Sequence, residues 1–155
     1  MWRKIGPVFS NPDAYSFQQP MTASPSPVVY SIVESPAHPD CTAVCDKLGL
    51  QNLVFGSMRK AIAALRRTPP DVVVAEFFYG YGNNYAGVNV SNLDVFLHSL
   101  RKYAPRAHVI VLADKAELDH IDKLRELFSI REVLAQPVTA QAIAEAVTRC
   151  GPPLP

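Results

Sequence analysis

With 155 residues, 48% of them hydrophobic and 19% charged, the chain has the size and balance of one folded domain with short tails. Its net charge is +1, and Val28–Cys150 carries 13 basic against 13 acidic residues, a neutrality that argues against a nucleic-acid-binding role. Three cysteines without a secretion signal, and no run of about 20 apolar residues, argue against a disulfide scaffold and a membrane span. A cytoplasmic protein is the expectation.

Residues 1–27 hold five of the 14 prolines and much Ser, Gln and Asn, the composition of a flexible leader that cannot offset its ordering entropy. The expected folded domain is 28–150, followed by a short tail, 151–155. Val28–Val33 reads as a buried strand. A short helix opens at Pro39-Asp40, places Cys41, Val44, Cys45 and Leu48 on one face and stops at Gly49. Leu53–Phe55 is a second strand. Ser57 caps a helix carrying Met58, Ile62 and Leu65 inward, and Thr68-Pro69-Pro70 ends it. Val72–Phe77 is the third strand. Ser91, with Asp94 three residues on, opens a helix with Val95, Phe96 and Leu100 inward. Val109–Leu112 is the fourth strand, and Leu118, Ile121, Leu124, Leu127 and Phe128 mark the fourth helix. Glu132–Ala135 and a helix from Ala140 to Cys150, with Ile143 and Val147 inward, complete the series.

Five strands, each followed by a helix, predict an α/β, flavodoxin-like, doubly wound, five-stranded parallel sheet of order 2-1-3-4-5 with helices on both faces. Ligands of such sheets bind at the carboxyl ends of the strands, and the switch point lies between strands one and three. Glu34 and Glu76 end those two strands.

The ordered run of Val33-Glu34, Asp71-Val72-Val73-Val74-Ala75-Glu76, Asn92-Leu93-Asp94, Val109–Lys115 and Gln136-Pro137 resembles the receiver domains of response regulators. The resemblance covers about four-fifths of the chain. It implies a pocket in which two acids after strand one hold Mg²⁺. It also implies an Asp nucleophile ending strand three, with a Ser/Thr and a Lys to stabilise the phosphoryl oxygens. In this chain those positions read Glu34, Ser35, Glu76, Ala113 and Gln136, so one of five is kept in kind. Glu76 carries its carboxylate one methylene further than Asp, and a displacement of about 1 Å can lose two orders of magnitude in rate. The resemblance further implies a cis peptide at Gln136-Pro137.

The segment from Phe77 to Val90 is the second unusual feature, with Tyr79, Tyr81, Asn83, Asn84 and Tyr85 among its residues. Tyrosines offer rigid contact area at low entropy cost, and loops this long are usually functional or disordered. Two readings stand side by side: a partner-binding loop, or a lid that fills the disused pocket. Cys41 and Cys45 read as small core residues rather than a metal pair. The four histidines make no constellation, and Ser35 with His38 makes no convincing nucleophile–base pair.

The sequence therefore points to a phosphorylation-independent pseudo-receiver that is not an enzyme, with no catalytic residues, metal or cofactor. Its expected role is a protein-interaction, signalling or scaffolding module. Its expected partners are proteins, including a second copy through the face of helix four, strand five and the Ala-rich helix five, and neither nucleic acid nor membrane. The alternatives are a still-active receiver binding a divalent cation at Glu34 and Glu76, or a flavodoxin-like protein binding a small molecule through its Tyr-rich loop.

Overall fold

The computed structural model describes residues 26–80 and 90–150. Strands β1 (Val28–Ile32), β2 (Gln51–Phe55), β3 (Val72–Glu76), β4 (His108–Ala113) and β5 (Glu132–Ala135) alternate with helices. These are α1 (Thr42–Lys47), α2 (Met58–Ala64), α3 (Asp94–Tyr103), α4 (Leu118–Leu127) and α5 (Ala140–Arg149). The strands form one parallel sheet in the order β2-β1-β3-β4-β5, as the sequence predicts. Of the expected leader, Ser26 and Pro27 are described; residues 1–25 and the tail 151–155 lie outside the described residues.

The two-residue period of a strand divides the core into two layers. Val73 and Ala75 of β3 and Val109, Val111 and Ala113 of β4 pack towards α2, α3 and α4 with Leu65, Phe96, Leu100 and Leu124. Their neighbours Val72, Val74, Ile110 and Leu112 pack towards α1 and α5 with Cys41, Cys45, Ile143 and Val147. Every residue of β3 is buried, which is why it reads as an unbroken apolar run rather than an alternating one. Each fully buried Val, Leu, Ile or Phe contributes about 1.5–3 kcal/mol, offset by the ordering entropy of the chain.

Helix ends depart from the sequence reading. Val95, expected inward, is 56% exposed, and Leu48, Leu118 and Leu127, apolar residues that marked their helices, are exposed too, Leu127 at 52%. In α3 the buried stripe is Leu93, Phe96, Leu97 and Leu100, an i, i+3, i+4, i+7 set that turns Val95 to the opposite side. In α4 the stripe of Ile121, Leu124 and Phe128 leaves Leu127 well off the face. Leu48 lies beyond the last turn of α1, as its C-cap. Helix α3 starts at Asp94, later than the Ser91 cap predicts. Ser91 and Asp94 do interact, however: the buried Asp94 carboxylate accepts the Ser91 N–H (2.7 Å) and the Val90 N–H (3.1 Å).

Helix α1 ends in a Schellman turn. The Leu50 N–H donates to the Cys45 carbonyl (2.9 Å) and the Gly49 N–H to the Asp46 carbonyl (3.1 Å), with Gly49 at φ +72°. A Cβ added at Gly49 meets no atom within 4 Å, so Gly49→Ala tests backbone conformation alone. We expect it to lose ~1 kcal/mol in urea denaturation, and a loss below ~0.3 kcal/mol would show that the left-handed turn is not held in solution.

Candidate functional site

Side-chain parity aims Glu76 at the β1–α1 connection. It follows Val72 and Val74 on the face of the sheet that α1 and α5 cover, and it is completely buried. Its carboxylate is held by the residues just after β1. Oε2 accepts the Glu34 N–H (2.7 Å) and the Ser35 N–H (3.0 Å), and Oε1 accepts the Ser35 hydroxyl. Three donors thus converge on one carboxylate and fasten the end of β3 to the end of β1. The extra methylene of Glu, relative to Asp, carries the carboxylate into this bonding position.

Asn92, just before α3, ties a second set of groups together. Its Nδ2 donates to Glu34 Oε1 (2.8 Å) and to the Glu76 carbonyl (2.9 Å). Its Oδ1 accepts the Phe78 N–H (2.8 Å), and its own N–H donates to the Phe78 carbonyl (3.2 Å). Burial pushes the Glu34 carboxyl above its ordinary value, the Asn92 hydrogen bond pulls it back, and the neighbouring Glu76 charge raises it again.

The five pocket positions lie at the carboxyl ends of β1, β3, β4 and β5, neighbours in the sheet, and hydrogen bonds join them in two groups. Glu34, Ser35 and Glu76 are joined directly. Ala113 is buried in the core layer under α2, α3 and α4. The Gln136 backbone N–H bonds the Ala113 carbonyl (2.8 Å), while its buried side-chain Nε2 has no hydrogen-bond partner among the described residues. The Gln136-Pro137 peptide is cis, in line with the resemblance.

The residues present do not suit a divalent cation shared by Glu34 and Glu76. A hard cation wants six or more oxygen ligands, yet both Glu76 oxygens already accept N–H or O–H donors, and Ser35 stands where a second acid would be needed. Among the described residues, no three His, Cys, Asp or Glu side chains cluster as metal ligands. Cys41 and Cys45 are buried. Burial pushes the Cys41 thiol up to about 11, with Cys45 and Asp40 adding to the rise, and both side chains pack in the core layer beside α5.

Of the five residues expected to form an interaction loop, Tyr79 is described; Tyr81, Asn83, Asn84 and Tyr85 lie outside the described residues. Tyr79 is 42% exposed and faces α4 rather than the Glu76 pocket. Its ring stacks on His120, with centroids 3.6 Å apart, and Lys123 Nζ lies 5.6 Å from it. A bridge pairs Tyr79 with Ser91, and the Gly80 N–H donates to the Val90 carbonyl (2.9 Å), so the two ends of the segment run side by side. The sequence reading missed the role of Asn92. Its signal was an Asn two residues before a helix-opening Asp, which reads equally well as a simple cap.

Helix α5 is packed against the sheet through its small residues. Ala144 and Ala146 are buried within the chain. Ala146 packs with Cys41 and Cys45 of the α1 region. Arg149 near the end of α5 forms an ion pair with Glu132 of β5 (2.5 Å).

No protein-family model matches the sequence, and no curated protein does. Solved structures match it in fold. The signal receiver domain of a protein described as a Luxo repressor, from Vibrio parahaemolyticus, is 15% identical with a TM-score of 0.59, over 81% of this chain and 89% of that one. A response regulator receiver domain protein from Clostridium thermocellum is 22% identical with a TM-score of 0.56, over 80% and 93%. The inactive form of the regulatory domain from the repressor of iron transport regulator is 13% identical with a TM-score of 0.61, over 80% and 94%. The fold is that of a receiver domain. Within this receiver fold, the carboxyl-end site keeps its place in the topology but holds a carboxylate already bonded to its own chain. Among the described residues, no helix is long and apolar enough to cross a membrane.

Proposed function

We propose that this chain is a phosphorylation-independent receiver-fold module that acts by binding a protein partner, not by accepting a phosphoryl group. One observation carries the reading: the fully buried Glu76 carboxylate is bonded by Glu34 N–H, Ser35 N–H and the Ser35 hydroxyl. In-line attack on a phosphodonor needs an exposed, uncommitted carboxylate oxygen beside a cation. Here attack would require breaking those bonds first, with Ala113 and Gln136 offering neither a hydroxyl nor a positive charge to the transferring group. On its α4 side the fold presents Tyr79 stacked on His120, and α4 also exposes Leu118 and Leu127. Rigid aromatic and aliphatic groups of this kind suit protein contact.

The test combines acetyl phosphate with Mg²⁺, followed by intact-mass measurement and by NMR titration with beryllofluoride. The expected result is no phosphoryl adduct and no shifts at Glu34, Glu76 or Ala113. An adduct at Glu76, or saturable shifts at those three residues, would establish the active-receiver alternative.

A further inference from the structure

Beside the bonded pocket lies an open cleft of about 480 Å³, lined by Glu34, Ser35, Gly56, Ser57 and Phe78. Its chemistry is not that of a metal site. Among the described residues Glu34 is the one charged side chain on the wall, and its Oε1 is held by Asn92 (2.8 Å). None of the described residues donates to its Oε2, and no basic residue among them forms an ion pair with it; the salt bridge they contain is Arg149–Glu132. Behind it stands Glu76, whose partners among the described residues are neutral hydrogen-bond donors. The two hydroxyls on the wall are engaged: Ser35 Oγ donates to Glu76 and accepts the Ala37 N–H (3.2 Å), and Ser57 Oγ accepts the Lys60 N–H (3.2 Å). The cleft thus offers one oriented carboxylate oxygen, a negative field and the aromatic residue Phe78, in a volume far larger than a bare metal ion.

We propose that this cleft binds an organic ammonium group, of the kind a lysine side chain carries, on Glu34 Oε2 beside Phe78. The inference rests on the reading above that the Glu34–Glu76 site is not a phosphorylation centre, and it names the partner chemistry of that site. An ammonium is favoured over a guanidinium because the Asn92 bond on Oε1 leaves one free oxygen, which matches a point charge better than a two-pronged fork. The raised Glu34 carboxyl accords with an acid that lacks a positive partner. A bound ammonium would draw it down again.

Titrating the whole chain with two probes, followed by amide NMR, tests the site. One probe is n-butylammonium, the bare side chain; the other is a short peptide with a central lysine. Both are expected to give saturable shifts at Glu34, Ser57 and Phe78, weakening as salt is added. Glu34→Gln is expected to lower the affinity about tenfold, the loss of one charge-assisted bond, and acetylation of the peptide lysine to abolish binding. Tighter binding of the peptide supports the site and assigns the ammonium to a protein partner; equal binding supports it and assigns a small amine. Absence of saturable shifts with either probe overturns the proposal, as do equal affinities for the Glu34→Gln variant or for the acetylated peptide. Glu34→Gln keeps an oxygen for Asn92, so its fold is expected to survive, and its amide spectrum checks this directly. If the amine fails and no phosphoryl adduct forms, the proposed function stands without this ligand. A phosphoryl adduct on Glu76 removes the proposed function whatever the amine does.

Discussion

Replacing Glu76 with Ala is expected to destabilise the chain by ~3 kcal/mol. The carboxylate is completely buried and accepts three donors from the β1–α1 connection. Ala removes the acceptor and leaves the Glu34 and Ser35 N–H groups and the Ser35 hydroxyl to find other partners. A buried donor without one costs about 1–3 kcal/mol, and water entering the space left behind recovers part of the loss. For a chain of this size that corresponds to a fall in Tm of roughly 6–12 °C. Glu76→Gln keeps the shape and one carbonyl oxygen, so its loss should be nearer ~1 kcal/mol. Glu76→Asp shortens the reach by one methylene and should fall between the two. Urea denaturation with an unchanged m value measures all three. A Glu76→Ala variant within ~0.5 kcal/mol of the parent would show that the carboxylate is not fastened in solution, and the proposed function would lose its basis.

Asn92→Ala should destabilise by ~2 kcal/mol, and its effect should depend on pH. The substitution removes the donor to Glu34 and to the Glu76 carbonyl, and the acceptor of the Phe78 N–H. The Asn92 bond holds the Glu34 carboxyl down against burial and the Glu76 charge, so its loss raises that carboxyl further. Glu34 in the folded chain already lies above its ordinary value. Its contribution to stability is therefore fully present below the unfolded value and is lost as pH rises through the folded one. Without Asn92 this loss is larger. The deficit of the variant should thus be greatest at neutral pH and shrink as Glu34 takes up its proton. Asn92→Asp sharpens the test, because it keeps an acceptor for Phe78 while setting a second negative charge against Glu34. It should be worse than Ala at neutral pH and recover more on acidification. Denaturation across pH, with carboxyl titration of Glu34 by NMR, gives both readouts. A deficit that does not change with pH, or an unmoved Glu34 titration, would show that the Glu34–Asn92 bond carries no weight.

These two residues differ in how far they could be read beforehand. Glu76 was visible because it ends an apolar strand run where the receiver pattern has Asp. Its bonding was not visible, because the donors lie more than 40 residues earlier and depend on the pairing of β1 with β3. Asn92 was noted only as the opening of a helix, and its two long-range partners, Glu34 and Glu76, come from other elements. The cleft lined by Glu34, Gly56, Ser57 and Phe78 combines the ends of β1, β2 and β3, and no spacing along the chain announces it.

Local patterning was sufficient for the strands, the sheet order and most of the buried faces. A five-residue apolar run, a helix stop at Gly49 and an i, i+3, i+4 stripe each act within a few residues, and right-handed crossovers then leave few topologies. The same locality left the exposure of Leu48, Val95, Leu118 and Leu127 unread. Near a helix end, exposure depends on where the helix begins and how far it overhangs the sheet, not on the residue's own hydrophobicity. By itself the sequence put Glu34, Ser35, Glu76, Ala113 and Gln136 at the five positions that the receiver resemblance assigns to phosphoryl transfer, since that is a matter of which side chains occupy which places. Only the tertiary structure decided what these residues do: a carboxylate fastened to the neighbouring strand end, an amide linking Glu34 to the base of the Tyr79 segment, and an acid facing a cleft with no ion-pair partner among the described residues. Each is a meeting of groups far apart in the chain, and their distances are set by packing the sheet and not by the order of the residues.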